Sequence, residues 1–284
     1  MLIQMEKAVK TYSGFQLNTT LEVRPGRITG LIGRNGAGKS TAMGLILGLM
    51  CPEKGSVRVF GKEPMTLTTE EKARIGVVLS EGGFSEYLMP TTIASMLEAL
   101  YPGVEKFAFL QKMQAVGLPI DKPIKDYSKG MKARFDLLCA MSHDTDLLIL
   151  DEPTAGLDVL ARDEILDLLR DYMAEAEGRG ILISSHISSD LESLCDDLYM
   201  IEDGRIVLHE DTDRILSEYA ILKLRAEQYE AMDKRYICYR KKESYGISAL
   251  TDRKSFYVDN YPGIVMDSGS IDGVMTMILR GEKV

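Results

Sequence analysis

Cysteine is scarce in this chain, and its four copies, Cys51, Cys139, Cys195 and Cys238, lie far apart with no Cys-x-x-Cys pair. That scatter excludes a disulfide-stapled scaffold and gives no spacing for a cysteine metal centre. The thiols read as reduced, some of them buried. Long apolar runs are missing as well. The longest candidate, MGLILGLMCP at 43–52, ends in proline and falls short of the roughly 18 residues a spanning helix needs. The amino-terminal MLIQMEKAVKTY carries charge where a secretion signal needs an apolar stretch. Work at a membrane is therefore expected to pass through a partner. Positive charge is in deficit: 34 Lys and Arg against 43 Asp and Glu leave a net charge of −9, which disfavours nucleic acid as the main partner. Internal repeats and low-complexity tracts are absent from the sequence.

What remains is an ordinary globular composition, 45% hydrophobic and 27% charged over 284 residues, enough for one large domain or a domain with an appendage. Short apolar runs alternate with helical patterns. Strands are predicted at LIQME, RITGLIG, SVRVF, IGVVL, DLLILD, GILISS, DLYMIED and RIVLHE, and helices over 39–50, 91–101, 105–116, 129–141, 159–177 and 187–195. Uninterrupted runs such as LLIL and ILIS suit strands covered on both faces. The alternation predicts an α/β fold with a largely parallel core sheet. Near residue 211 the character shifts toward tyrosine and charge, with strand-like RYICYR, YGISAL and SFYVD and a final helical SIDGVMTMILRG. Residues 1–211 are read as the main domain and 212–284 as a small α/β accessory domain.

GLIGRNGAGKST, residues 30–41, follows a strand and opens a helix, and it fits the phosphate-loop pattern with Gly33, Gly38, Lys39 and Ser40. Glycines there let backbone N–H groups close around phosphate oxygens, and the helix presents its positive end to the anion. Lys39 adds a point charge for the terminal phosphates, and the Ser40 hydroxyl can ligate Mg²⁺. DLLILDEPTAGLD, residues 146–158, is a buried strand ending in two carboxylates. Asp151, at the carboxyl end of its strand, is placed to hold Mg²⁺. Glu152, expected to point elsewhere because strand side chains alternate, is placed to polarise a water. A third buried strand, ILISSH, ends at His186, which faces the same sheet edge and is assigned to the γ-phosphate.

These stretches, in this order, resemble the ATP-binding-cassette (ABC) ATPases over about residues 1–210. GRNGAGKS matches the Walker A motif, LLILDE Walker B, AGLD with Asp158 the D-loop, and His186 the switch histidine. The resemblance implies a P-loop cassette with a helical subdomain at about 84–141. It implies a nucleotide site built from Gly33, Asn35, Gly36, Ala37, Gly38, Lys39, Ser40 and Thr41, with Tyr12 of VKTYSG as the aromatic that stacks on adenine. The family signature, usually LSGGQ, is held here by YSKGM. Ser128 and Gly130 keep the hydroxyl and the exposed backbone at a helix start, while Lys129 and Met131 depart from the pattern. Read alone, Ser128 is a plain helix N-cap; in the family this stretch closes on ATP held by a second copy. The Q-loop glutamine is replaced by Ser80, kept with Ser40 and Asp151 in the metal group. Serine is expected to fall short of glutamine's reach, with Glu81 or a bridging water substituting.

The resemblance implies an Mg²⁺-dependent ATPase that drives transport, in the export direction, through a separately encoded integral-membrane permease. It works as a homodimer or heterodimer, in the cytoplasm and peripheral on the inner face of the cell membrane. No nucleic-acid partner is expected. A soluble non-transport ABC ATPase and an ATP-gated regulatory module are the competing readings.

Overall fold

The computed structural model describes residues 1–80 and 83–284; Glu81 lies outside the described residues. Strands β1 (Ile3–Tyr12), β2 (Phe15–Val23) and β4 (Lys54–Val59) form an antiparallel sheet in the order β2-β1-β4. The sequence reading passes over β2, although Leu17, Thr19, Leu21 and Val23 are buried in strict alternation. It also stops β1 at its first half. The strand continues past an irregularity between Met5 and Ala8, where Lys7 takes φ 45°, and that break hides the period-2 pattern.

The central sheet runs β5 (Ile75–Val78), β6 (Leu147–Asp151), β7 (Gly180–Ser185), β3 (Ile28–Ile32), β8 (Asp197–Glu202) and β9 (Arg205–Asp211). All neighbours are parallel except β8 and β9. β3, β6 and β7 are buried along their whole length. Alternation sends Leu147 and Ile149 toward the antiparallel sheet and helix α1 (Lys39–Ile46), and Leu148 and Leu150 into a second core with α6 (Val159–Glu175) and α7 (Ser188–Leu194). The apolar runs are continuous because both faces are covered.

After a short α2 (Thr69–Lys72), helices α3 (Pro90–Leu100), α4 (Lys106–Ala115) and α5 (Lys129–Ala140) pack on a core of their own that includes Ile93, Phe109, Met113 and Phe135. The chain then closes the central sheet and enters α8 (Thr212–Glu218). A third sheet, antiparallel throughout, follows in the order β13 (Val265–Ser268), β10 (Ala220–Leu224), β12 (Gly246–Thr251), β11 (Ile237–Glu243) and β14 (Glu282–Lys283). Helices α9 (Ala226–Ala231), α10 (Lys254–Asn260) and α11 (Ile271–Arg280) belong to this part. It shares a core with the central sheet: Ile215, Ile271, Val274 and Met277 cluster with Leu191 and Leu194 of α7. The Ile271 N–H donates to Glu192 Oε1 at 2.6 Å, so a residue of α7 satisfies the start of α11.

One predicted strand is a helix. SFYVD, predicted as a strand, lies in helix α10. Its aromatic and β-branched residues favour strand on propensity, but packing decides. Tyr257 is fully buried and stacks on Tyr261 one turn later, with centroids 5.9 Å apart, while Phe256 meets Tyr236 edge-on at 5.0 Å.

On α5, Asp136 borders a cavity of about 150 Å³ walled by Val78, Leu79, Phe84 and Cys139. Burial pushes its carboxyl up from 3.8 to about 6, against the pull of Lys132. The folded protein therefore holds this proton more tightly than the unfolded chain. Stability falls as pH rises between about 4 and 6 and stays reduced above that. Asp136→Asn removes the cost of burying the charge. Allowing for partial exposure, the gain at pH 8 is on the order of 2 kcal/mol. Thermal melts should show a rise of several degrees at pH 8 that fades by pH 4.

Candidate functional site

The loop between β3 and α1 is built by close approach. At Gly33 a Cβ would stand 2.4 Å from the Ile201 carbonyl oxygen, so only glycine fits. Gly38 precedes α1 at φ 116°, a conformation open to glycine and strained for other residues. The turn leaves the first N–H groups of α1 facing a cleft of about 570 Å³, whose wall includes Asn35, Gly36, Gly38, Ser40 and Thr41. Lys39 is 6% exposed, and its ammonium donates to the Gly33 carbonyl at 2.7 Å. Gly33 and Ala37 support the loop from behind and are not part of the cleft wall.

Asp151 ends β6 and is 3% exposed. Three hydroxyls donate to its carboxylate: Ser184 to Oδ1 at 2.5 Å, and Ser40 and Ser80 to Oδ2 at 3.0 and 3.2 Å. The strand stops there, so alternation does not set the direction of Glu152 as expected. Glu152 instead takes φ 56°, and this left-handed turn sends its side chain to the same cleft. Its Oε2 receives the backbone N–H of His186 at 3.2 Å and lies 2.5 Å from His186 Nδ1. A carboxylate only accepts, so Nδ1 carries the shared proton. Oε1 is buried without an aligned hydrogen bond; the Lys39 ammonium, 3.2 Å away, is its ion-pair partner. One carboxylate thus ties the phosphate loop to the end of β7.

Ser80 lines the same cleft. The end of β5, paired with β6, brings its hydroxyl to Asp151 directly. Tyr12 is not part of the cleft wall. Its hydroxyl turns to the Met50 sulfur at 3.1 Å, and it is Phe15, paired with it across the Ser13-Gly14 turn, that lines the cleft. Sequence reasoning misses Phe15, which the hairpin turn between two aromatics signals. It also misses Ser184, whose signal is register: β7 pairs it with Asp151.

Ser128, Gly130 and Asp158 stand apart from this cleft. Ser128 caps α5 by accepting from the Met131 N–H at 3.2 Å, and Asp158 caps α6 by accepting from Ala161 at 2.9 Å. Gly130 faces α6, where a Cβ would come within 2.8 Å of the Ala161 Cβ. These three form a second surface, at the neighbouring starts of α5 and α6.

Around Asp151 the cleft offers a metal oxygen atoms, from the hydroxyls of Ser40 and Ser80 and the Asp151 carboxylate. One carboxylate with hydroxyls, completed by a ligand's phosphates, suits Mg²⁺. Among the described residues no cluster of three or more His, Cys, Asp or Glu side chains stands ready to bind a metal unaided.

The model of the ABC transporter family matches residues 17–155. The bacitracin transport ATP-binding protein of Enterococcus faecalis is 35% identical over 72% of this chain and 68% of its own length. The lantibiotic transport ATP-binding protein of Streptococcus pyogenes is 33% identical over 75% of this chain and 92% of its own. Among solved structures, an ATP-binding subunit of an ABC transporter superposes with TM-score 0.67 at 27% identity, covering 76% of this chain and 92% of its own.

Two glycines of the loop separate crowding from backbone strain. At Gly36, φ is 82° but a Cβ meets nothing within 4 Å, so Gly36→Ala should cost only the left-handed penalty, ~1 kcal/mol. Gly33→Ala drives a methyl into the Ile201 carbonyl and should cost ~3 kcal/mol. Urea unfolding of both variants measures the gap.

Proposed function

Since the chain belongs to the ABC transporter family of ATP-binding subunits, we propose that ATP hydrolysed in this cleft drives export through a separate membrane permease. The protein is an ATPase of α/β cassette fold. The observation that carries its mechanism is the meeting of Lys39, Ser40, Asp151, Glu152 and His186 at one edge of the central sheet.

Phosphoryl transfer to water needs positioning and charge neutralisation more than covalent chemistry. Lys39, Gly38 and the start of α1 receive the β- and γ-phosphates. To do so, the Lys39 ammonium exchanges its contacts with Gly33 and Glu152 for phosphate oxygens. Mg²⁺, when bound by Ser40, Asp151 and Ser80, neutralises phosphate charge. Glu152, freed from Lys39, orients the attacking water, and His186 steadies both Glu152 and the γ-phosphate. Phe15, with Tyr12 beside it, offers the adenine its aromatic surface.

The second surface supports a composite site. YSKGM acts as a signature variant: Ser128, Lys129 and Gly130 lie at the start of a 12-residue helix, away from their own chain's cleft. They suit phosphates held by another copy. Next to Asp158, Val159 and Leu160 are 68% and 77% exposed, an apolar pair that a second subunit covers on closure. ATP would join two copies, and hydrolysis would release them.

No described helix is long and apolar enough to cross a membrane, so transport requires a permease, and association with the membrane runs through it. Within residues 80–95, Tyr87 is 73% exposed, which supports docking there. Beside the bacitracin and lantibiotic transport relatives, a Nod factor export ATP-binding protein, 33% identical over 72% of this chain, favours the export direction. Residues 1–211 would form the cassette, with 84–141 as its helical subdomain. Residues 212–284 would form an accessory domain braced on α7.

Two outcomes test the reading. Glu152→Gln should cut turnover to below ~1% while accumulating an ATP-bound dimer in gel filtration; a monomer at saturating ATP counts against the composite site. Phe15→Ala should weaken ATP binding by about tenfold, the size of one lost base stack. Tyr12→Ala should weaken it less, and calorimetric titration separates the two.

A further inference from the structure

We propose that Ser184 is a positioning residue that sets both carboxylates of the hydrolytic site through one hydroxyl; this rests on the ATPase mechanism above. Ser184 lies on β7 with no exposed surface, between β3 and β6, and the register pairs it with Asp151. Its hydroxyl has one proton to give and lone pairs to receive. The Glu152 N–H can only donate, and it reaches Ser184 Oγ at 3.1 Å. The hydroxyl proton is therefore directed to Asp151 Oδ1, at 2.5 Å.

Two consequences follow from that polarity. With Oδ1 held inward, Asp151 turns Oδ2 toward the cleft, where Ser40 and Ser80 meet it. That oxygen is the one presented to a metal. The same Oγ shares with the Ser184 carbonyl, at 3.2 Å, the N–H of Glu152, helping to hold that residue at φ 56°, a left-handed conformation strained in a residue with a side chain. Without Oγ the Glu152 N–H keeps only the Ser184 carbonyl, and the turn that aims its carboxylate at Lys39 and His186 is held by one partner instead of two. Adjacent Ser185 is equally buried but touches neither carboxylate, since its Oγ accepts the Ile187 N–H at 2.9 Å. It serves as the matched control.

The test uses full-length protein with Mn²⁺ as probe and a non-hydrolysable ATP analogue, read by electron paramagnetic resonance. Ser184→Ala should weaken Mn²⁺ binding by about tenfold, as the loss of a partner to a metal ligand does. It should lower kcat by at least that factor, with the KM for ATP within about twofold. Ser184→Thr, which retains the hydroxyl, should recover most of both, and Ser185→Ala should leave Mn²⁺ affinity unchanged. Equal Mn²⁺ affinity in wild type and Ser184→Ala overturns the proposal. So does a Ser184→Ala protein whose kcat and analogue affinity fall together with its Tm, the pattern of a merely structural residue. If Ser184→Ala does not fold, Ser184→Thr decides, and Mn²⁺ affinity as weak as ~tenfold below wild type in that folded variant overturns the proposal. Failure of wild type to bind Mn²⁺ with the analogue overturns the ATPase reading itself, an outcome distinct from the others.

Discussion

The parallel pairing of β6 with β7 is the constraint from which the site follows. It sets Asp151 beside Ser184 and brings Glu152 within reach of His186. Neither strand carries a charge along its buried length until its end. The apolar run pins the register by burial on both faces, and all the polar chemistry is delivered where the run stops. A slip of one residue would trade Leu150 for Asp151 in the core and is excluded by the cost of burying that carboxylate unpaired.

Around that edge, charge is arranged as a chain of partners. Lys39 is buried and requires an anion; Glu152 supplies one and reaches on to His186. Asp151 is buried and accepts from three hydroxyls, and among the described residues no lysine or arginine pairs with it. A site so composed favours a ligand that brings positive charge to Asp151 and negative charge to Lys39 together, as a metal-bound triphosphate does.

Much of this was legible in the sequence because the chemistry is local there. GRNGAGKST requires its glycines and its lysine in one loop, and LLILDE and ILISSH are uninterrupted strands with polar ends. What sequence order hides is pairing. Ser184 looks like a filler residue until β7 is laid beside β6. Phe15 lines the cleft beside Tyr12 because a two-residue turn puts both on one hairpin, while the Tyr12 hydroxyl turns to Met50. Glu152 reaches the cleft by a left-handed turn rather than by strand alternation, and no composition rule marks that turn in advance. The strand predicted at SFYVD failed for a related reason, since the aromatic cluster around Tyr257 is assembled from distant segments.

The cap that Glu192 places on α11 has a further meaning. Helix α7 begins two residues after His186 and is clamped between the central sheet and the last helix of the chain. The carboxy-terminal part is thus no pendant cargo: its final helix is packed and hydrogen-bonded to the element that starts beside the histidine.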